Sequence, residues 1–144
     1  MKTLTIICLL VLSYGVSAQK IKPCDTWLTD FIQVDPKIND GTPINKYVAG
    51  KLMNDTSLKS MATCMVGFRL YINCNGELSY EKQDYRNNPL LTSECKALLR
   101  KTEAIVKGIN QLTPARIGKE NKDFICKLVV RIKHNGQPSA EILY

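Results

Sequence analysis

The alternation of Val66, Phe68, Leu70, Ile72 and Cys74 against Gly67, Arg69, Tyr71 and Asn73 constrains this chain more than any other feature. A period of two marks a strand with one face in a core and one face outside it. Asn75-Gly76 follows at once. It is a strong hairpin signal, because a two-residue type I′ turn needs positive φ at both central positions. The polar run from Glu77 to Tyr85 then reads as the returning strand, with Leu78 and Tyr80 inward. Asn87-Asn88-Pro89 breaks the sheet, and Thr92 or Ser93 caps a helix running from about Glu94 to Leu112. Its stripe of Cys95, Leu98, Leu99, Thr102, Ile105, Val106, Ile109 and Leu112 faces the core. Pro114 stops that helix. A polar loop from Ile117 to Lys122 leads to a further strand, Phe124 to Lys133, with Phe124, Cys126, Leu128, Val130 and Ile132 inward.

Upstream, Thr42 is placed as a helix N-cap and Pro43 at the first helical position, where its missing N–H costs nothing. Ile44, Tyr47, Val48 and Leu52 share one face of that helix, and Thr56 opens a second short turn through Met61. Asp25 is a candidate cap for a short helix carrying Trp27, Leu28 and Phe31. Asn135-Gly136 signals another turn, after which Ala140 to Tyr144 has room for one more short strand. No internal repeat is visible in the residues. The expected fold class is therefore α+β and two-layered: an antiparallel three-stranded sheet (β-β-α-β) with one long helix packed on it and a short preceding helix.

The N-terminus bears on compartment. Lys2, the apolar run Leu4 to Leu12 and the small residues Val16-Ser17-Ala18 read as a signal peptide cut after Ala18. The apolar run is shorter than the roughly 20 residues a membrane span requires. The expected organisation is a signal peptide over 1–18, an N-terminal extension over 19–41 and one folded domain over 42–144. Without a spanning segment after cleavage, the chain is expected to be exported, either periplasmic or secreted. The net charge of +7 comes from lysines and arginines scattered along every element. No basic run and no aromatic-basic interleaving accompanies it, so a solvated surface is expected and nucleic acid is not.

Five cysteines follow the signal: Cys24, Cys64, Cys74, Cys95 and Cys126. In an oxidising compartment they are disulfide candidates first. No two stand as CxxC, which argues against zinc and thioredoxin-type chemistry. If the strand over Phe124 to Lys133 runs antiparallel to the first strand, Cys74 meets Cys126 at one end. Cys64 then meets Cys95, in the helix's first turn, at the other. The expected bridges are thus Cys64–Cys95 and Cys74–Cys126, with Cys24 free or bonded elsewhere. His134 is the sole histidine and no nucleophile, metal set or phosphate loop accompanies it. Cys24 beside Pro23 lacks a neighbouring base. No catalytic residue, metal or cofactor is expected, and an enzyme is the weakest reading.

Ile44-Asn45-Lys46-Tyr47-Val48, Val66-Gly67-Phe68-Arg69-Leu70-Tyr71-Ile72 with Asn75-Gly76-Glu77-Leu78, Pro89-Leu90-Leu91 before the long helix, Pro114-Ala115-Arg116-Ile117-Gly118-Lys119 and Phe124 to Ile132 stand in an order that resembles the C-terminal domain of TonB, especially its Bacteroidetes-type forms. The resemblance covers Ile44 to Ile132. It implies a domain whose final strand offers an exposed edge to an extended peptide of an outer-membrane transporter or another envelope partner. On this chain that edge falls on Phe124 to Lys133, with Lys127, Val129, Arg131 and Lys133 outward. Backbone bonds would supply affinity and alternate side chains selectivity. The chain shows neither the retained membrane helix nor the proline-rich spacer of an energy transducer, so a stand-alone exported interaction module is the expectation. The alternative is a disulfide-stabilised structural envelope protein with no transport role. A homodimer stays open in either case.

Overall fold

The structure is a computed structural model and describes residues 21–25, 27, 36–83 and 93–144. The elements are β1 (Lys37–Ile38), α1 (Ile44–Met53), β2 (Cys64–Ile72), β3 (Leu78–Lys82), α2 (Ser93–Lys107), β4 (Leu112–Thr113), β5 (Ala115–Ile117), β6 (Glu120–Lys122), β7 (Phe124–Ile132) and β8 (Pro138–Leu143). A 3-10 turn, Thr56–Leu58, lies between α1 and β2. Both helices lie against an antiparallel sheet of four strands, ordered β3-β2-β7-β8. The mixed, antiparallel architecture agrees with the sequence reading. The sheet has four strands rather than three, because Pro138–Leu143 forms a full partner of β7. Two small pairs, β1 with β4 and β5 with β6, complete it.

The strands form where the period of two runs longest. Val66, Phe68, Leu70 and Ile72 are all buried, as are Phe124, Cys126, Leu128, Val130 and Ile132. Phe68 also meets the Tyr80 ring edge-on, with centroids 5.9 Å apart. β2 ends at Ile72, two residues before the alternation does. Asn73 stops it, because its side chain turns back on the backbone: Oδ1 accepts the N–H groups of Asn75 and Glu77, each at 3.0 Å. The hairpin is also not the two-residue type. Asn73 N–H bonds Glu77 O, and Gly76 N–H bonds Asn73 O. Gly76 alone has positive φ, at 79°, whereas type I′ would demand it of Asn75 as well. The result is a three-residue loop with a glycine bulge.

The helices differ from expectation at their ends. Pro43, not Thr42, is the N-cap of α1, and Thr42 N–H bonds Asp40 Oδ1 at 2.8 Å instead. Asp55, not Thr56, caps the following turn by accepting from Ser57 N–H. α2 stops at Lys107, because Gly108 is its exit. Leu112, expected on the helix, pairs with Ile38 in β4. The expected loop 117–122 is largely the β5–β6 hairpin. The signal segment, the short helix around Leu28 and Phe31, the Asn87-Asn88-Pro89 break and the Thr92 cap lie outside the described residues.

A repeat emerges that the residues alone did not display. Adding 60 to the bounds of β2 gives those of β7, Phe124–Ile132. The same shift converts the pairing Ile72↔Leu78 into Ile132↔Pro138. Phe68 and Leu128, equivalent under the shift, are direct partners at the centre of the β2–β7 ladder, so a pseudo-two-fold axis passes between them. Each hairpin is preceded by a helix, and the helices cross over: α1 packs on β8 and α2 on β2.

Candidate functional site

The strand expected to be an open edge is interior. Lys127 lies between Arg69 and Leu143, Val129 between Gly67 and Glu141, and Arg131 between Met65 and Ser139. Lys133 lies in the second turn, where its N–H bonds Gln137 O. With a neighbour on each side, the β7 backbone has no free ladder to offer. Lys127, Val129 and Arg131 do share the face away from the helices. Val129 is only 3% exposed there, and Arg131 pairs with Glu141 at 2.7 Å.

Among the described residues the edges are β3 and β8. Tyr80 of β3 donates to Glu103 Oε1 on α2 at 3.0 Å, and Lys82 bridges to Glu103 Oε2 at 3.3 Å. Burial first, and then the Glu103 carboxylate, push the Tyr80 phenol up to about 12. Burial pulls the Glu103 carboxyl upward, but the bonds from Tyr80 and Lys82 outweigh it and the net shift is down. β3 is thereby tied to the helix layer at two side chains. β8 is held from its core face, where Ala140 and Ile142 pack on the cluster, and opens at its far end, where Leu143 is 42% exposed. Hydrogen-bonded and non-bonded pairs alternate along an antiparallel ladder. Starting from the bonded pair Lys133–Gln137, the backbone groups of Pro138, Ala140 and Ile142 point away from β7. Pro138 has no N–H, so Ala140 and Ile142 carry the outward donors.

The cysteines pair otherwise than expected. The disulfide joins Cys24 to Cys74, with Cα atoms 6.0 Å apart, which excludes the expected Cys74–Cys126 bridge. Because β2 ends at Ile72, Cys74 falls in the turn, while Cys126 pairs with Leu70 well inside the sheet. The expected Cys64–Cys95 bridge is not formed either. Cys64, Cys95 and Cys126 are buried thiols within the core cluster. Five cysteines after the expected signal suggested pairing among the strands, and the missed signal was Cys24 in the extension.

Asp123 organises the ground around that disulfide. It is 1% exposed, and its carboxylate accepts Cys74 N–H at 2.8 Å and Asp25 N–H at 2.7 Å. Burial pushes its carboxyl up, but backbone donors from Cys24, Asp25 and Cys74 outweigh this and hold it below the ordinary value. Asn73 donates to Lys22 O at 3.3 Å, and the Trp27 ring meets Tyr71 edge-on at 5.6 Å. The two sulfurs and an Asp123 oxygen lie within 4.8 Å of one another. A disulfide, however, has no thiolate to give a metal. His134 Nδ1 lies 3.1 Å from Thr63 Oγ1 on the exposed second turn, a contact between an imidazole and a hydroxyl in which no carboxylate takes part. A shallow cavity of about 280 Å³ opens beside Asp40, Tyr47, Ile109 and Gln111. No helix among the described residues is long and apolar enough to cross a membrane.

No protein-family model matches the chain, and neither a curated protein nor a solved structure matches it.

Proposed function

We propose that the protein is an exported protein-interaction module, similar in design to the C-terminal domain of TonB, that binds an extended peptide by strand addition. The receiving edge is β8. The observation that carries this reading is the sheet order: among the described residues β8 closes one side of the sheet, pairs with β7 alone, and turns the N–H and C=O groups of Ala140 and Ile142 outward. An added strand would bond to those groups. Ser139, Glu141 and Leu143 would select among its side chains on the face away from the helices. The partner is a protein segment of the envelope, with an outer-membrane transporter as the resemblance implies.

Pro138 also has a protective sense, since a proline at the start of an edge strand discourages unwanted pairing. It leaves the distal half of β8 open, and that half is where capture is placed. The test is a screen of extended envelope-transporter peptides, read by amide exchange. A binding peptide is expected to slow exchange at Ala140 and Ile142, and Ile142→Pro to abolish capture while the far-UV spectrum is kept. Exchange at those two amides that stays at its free rate under saturating peptide removes β8 as the site. The second reading, a structural envelope protein with no transport role, is favoured by the Cys24–Cys74 disulfide. It expects no peptide to bind at all.

A further inference from the structure

We propose that Cys24–Cys74 is a redox latch: it holds residues 21–25 and Trp27 against the first hairpin, and a dithiol reductant releases them while the helix-on-sheet core stays folded. The attachments of this segment converge on one end of the sheet. They are the disulfide, the Cys24 and Asp25 N–H groups on Asp123, the Asn73 side chain on Lys22 O and the Trp27 ring on Tyr71. None of its residues belongs to the buried core cluster, which draws on α1, α2 and the strands. The segment is therefore fastened to a finished domain rather than built into it. The polar contacts left after reduction are hydrogen bonds to the backbone of Lys22, Cys24 and Asp25, three exposed residues, so release exchanges them for bonds to water.

Access supports the same reading. Cys24 is exposed and Cys74 half-buried, whereas Cys64, Cys95 and Cys126 are buried. A reductant thus reaches the latch without opening the core. In the reaction a thiolate of the dithiol attacks one sulfur of the bridge, forming a mixed disulfide and expelling the other cysteine as thiolate, which takes up a proton. The second thiol of the reductant then attacks the mixed disulfide and frees the remaining cysteine. The dithiol leaves as a disulfide, and Cys24 and Cys74 gain two electrons and two protons. The Asp123 carboxylate, within 4.8 Å of both sulfurs, opposes a neighbouring thiolate.

Trp27 is the one tryptophan of the chain, so its fluorescence reads the segment directly. Full-length exported protein is titrated with dithiothreitol, and thiols at Cys24 and Cys74 are counted by alkylation. The expected result is a red shift of Trp27 emission and stronger acrylamide quenching, with the amide resonances of β2 and β7 in place. Cys24→Ser is expected to give the released spectrum without reductant. If it does not fold, the titration of the unaltered chain still decides. Unshifted emission with both thiols alkylated overturns the latch, because Asp123 and Asn73 would then suffice to hold the segment. Collapse of the β2 and β7 resonances on reduction overturns it too, because the bridge would then be a staple of the whole fold.

Discussion

The two hairpins of the sheet are built alike and anchored differently. In β2–β3 and β7–β8 the ladder register is the same after a shift of 60, and each turn closes on a positive-φ glycine, Gly76 at 79° and Gly136 at 70°. Asn73 N–H to Glu77 O has its counterpart in Lys133 N–H to Gln137 O. Yet the first turn carries a disulfide, a buried aspartate and an attached N-terminal segment, while the second shows a Thr63–His134 contact and a close approach to Lys59. Turn geometry thus follows from Asn-Gly and the ladder. What is fastened to the turn follows from single residues that the repeat does not share, Cys74 against His134 and Asn73 against Lys133.

The sharpest way to break this contrast is to cut one anchor on each hairpin. The disulfide spans a sequence separation of 50. Its removal in Cys24→Ser is expected to cost about 2–4 kcal/mol through the entropy of the unfolded chain. Thr63→Ala, which removes the exposed contact of the second turn, is expected to cost at most about 1 kcal/mol. Urea unfolding of both variants measures the difference. Equal losses would mean that the two turns are anchored equally after all.

A second comparison concerns the glycines themselves. A Cβ on Gly76 would meet the Leu112 carbonyl oxygen at 1.9 Å, and one on Gly136 would meet the Lys59 carbonyl oxygen at 2.5 Å. Both contacts are with backbone, which cannot swing aside. Gly76 O also accepts Leu112 N–H at 2.8 Å, so a shift there breaks a bond as well. Gly41, at φ 84°, faces open space and reports the conformational cost alone. Gly76→Ala is expected to lose roughly 2–3 kcal/mol, Gly136→Ala about 2 and Gly41→Ala about 1, the last from backbone preference only. Thermal unfolding in that order sharpens the comparison. A Gly136→Ala loss larger than that of Gly76→Ala would reverse it.

What could be read beforehand tracks how far each signal depends on local physics. The inward residues of β2 and β7 were legible, because burial on one face writes itself as a period of two. The place of the first turn was legible from Asn75-Gly76, but its type was not. That type depends on Asn73 closing its own loop, a choice made by a side chain that looked like part of the strand. The same misreading put Cys74 on the core face and paired it with Cys126. The edge moved for another reason. Pro138–Leu143 is short and half polar, its burial is partial at every position but the last, and so it carries little alternation. The duplicated hairpin stayed hidden because the equivalent positions share Ile72 with Ile132, Asn75-Gly76 with Asn135-Gly136, Ser79 with Ser139 and Glu81 with Glu141, and little else.

The smallest expected effect is a difference in acid response between the two turns. Asp123 serves the first turn alone, and its carboxyl is held below the ordinary value in the fold. A depressed carboxyl contributes stability that is complete above the unfolded value of about 3.9 and is lost as pH falls through the folded value. The charged groups nearest it are Lys122, which favours the carboxylate, and the exposed Asp25. Asp55 is also depressed: the Lys101 hydrogen bond and then the Ser57 bonds bring it to about 2, and it fastens to α2 the 3-10 turn whose C-cap, Lys59, lies close to Gly136 of the second hairpin. Amide proton shifts of Cys74 and Gly136 followed from about pH 5 down to about pH 1, because depressed carboxyls titrate below the ordinary range, separate these contributions. In an Asp55→Asn background the Cys74 amide is expected to follow the Asp123 titration while Gly136 stays level. Asp123→Asn is expected to flatten the Cys74 response, and Asp55→Asn to flatten the global unfolding slope and to remove any acid shift that reaches Gly136 through Lys59. Parallel titration of both amides would show that acid acts on the sheet as a whole, and the asymmetry of the two hairpins would then lie in the disulfide alone.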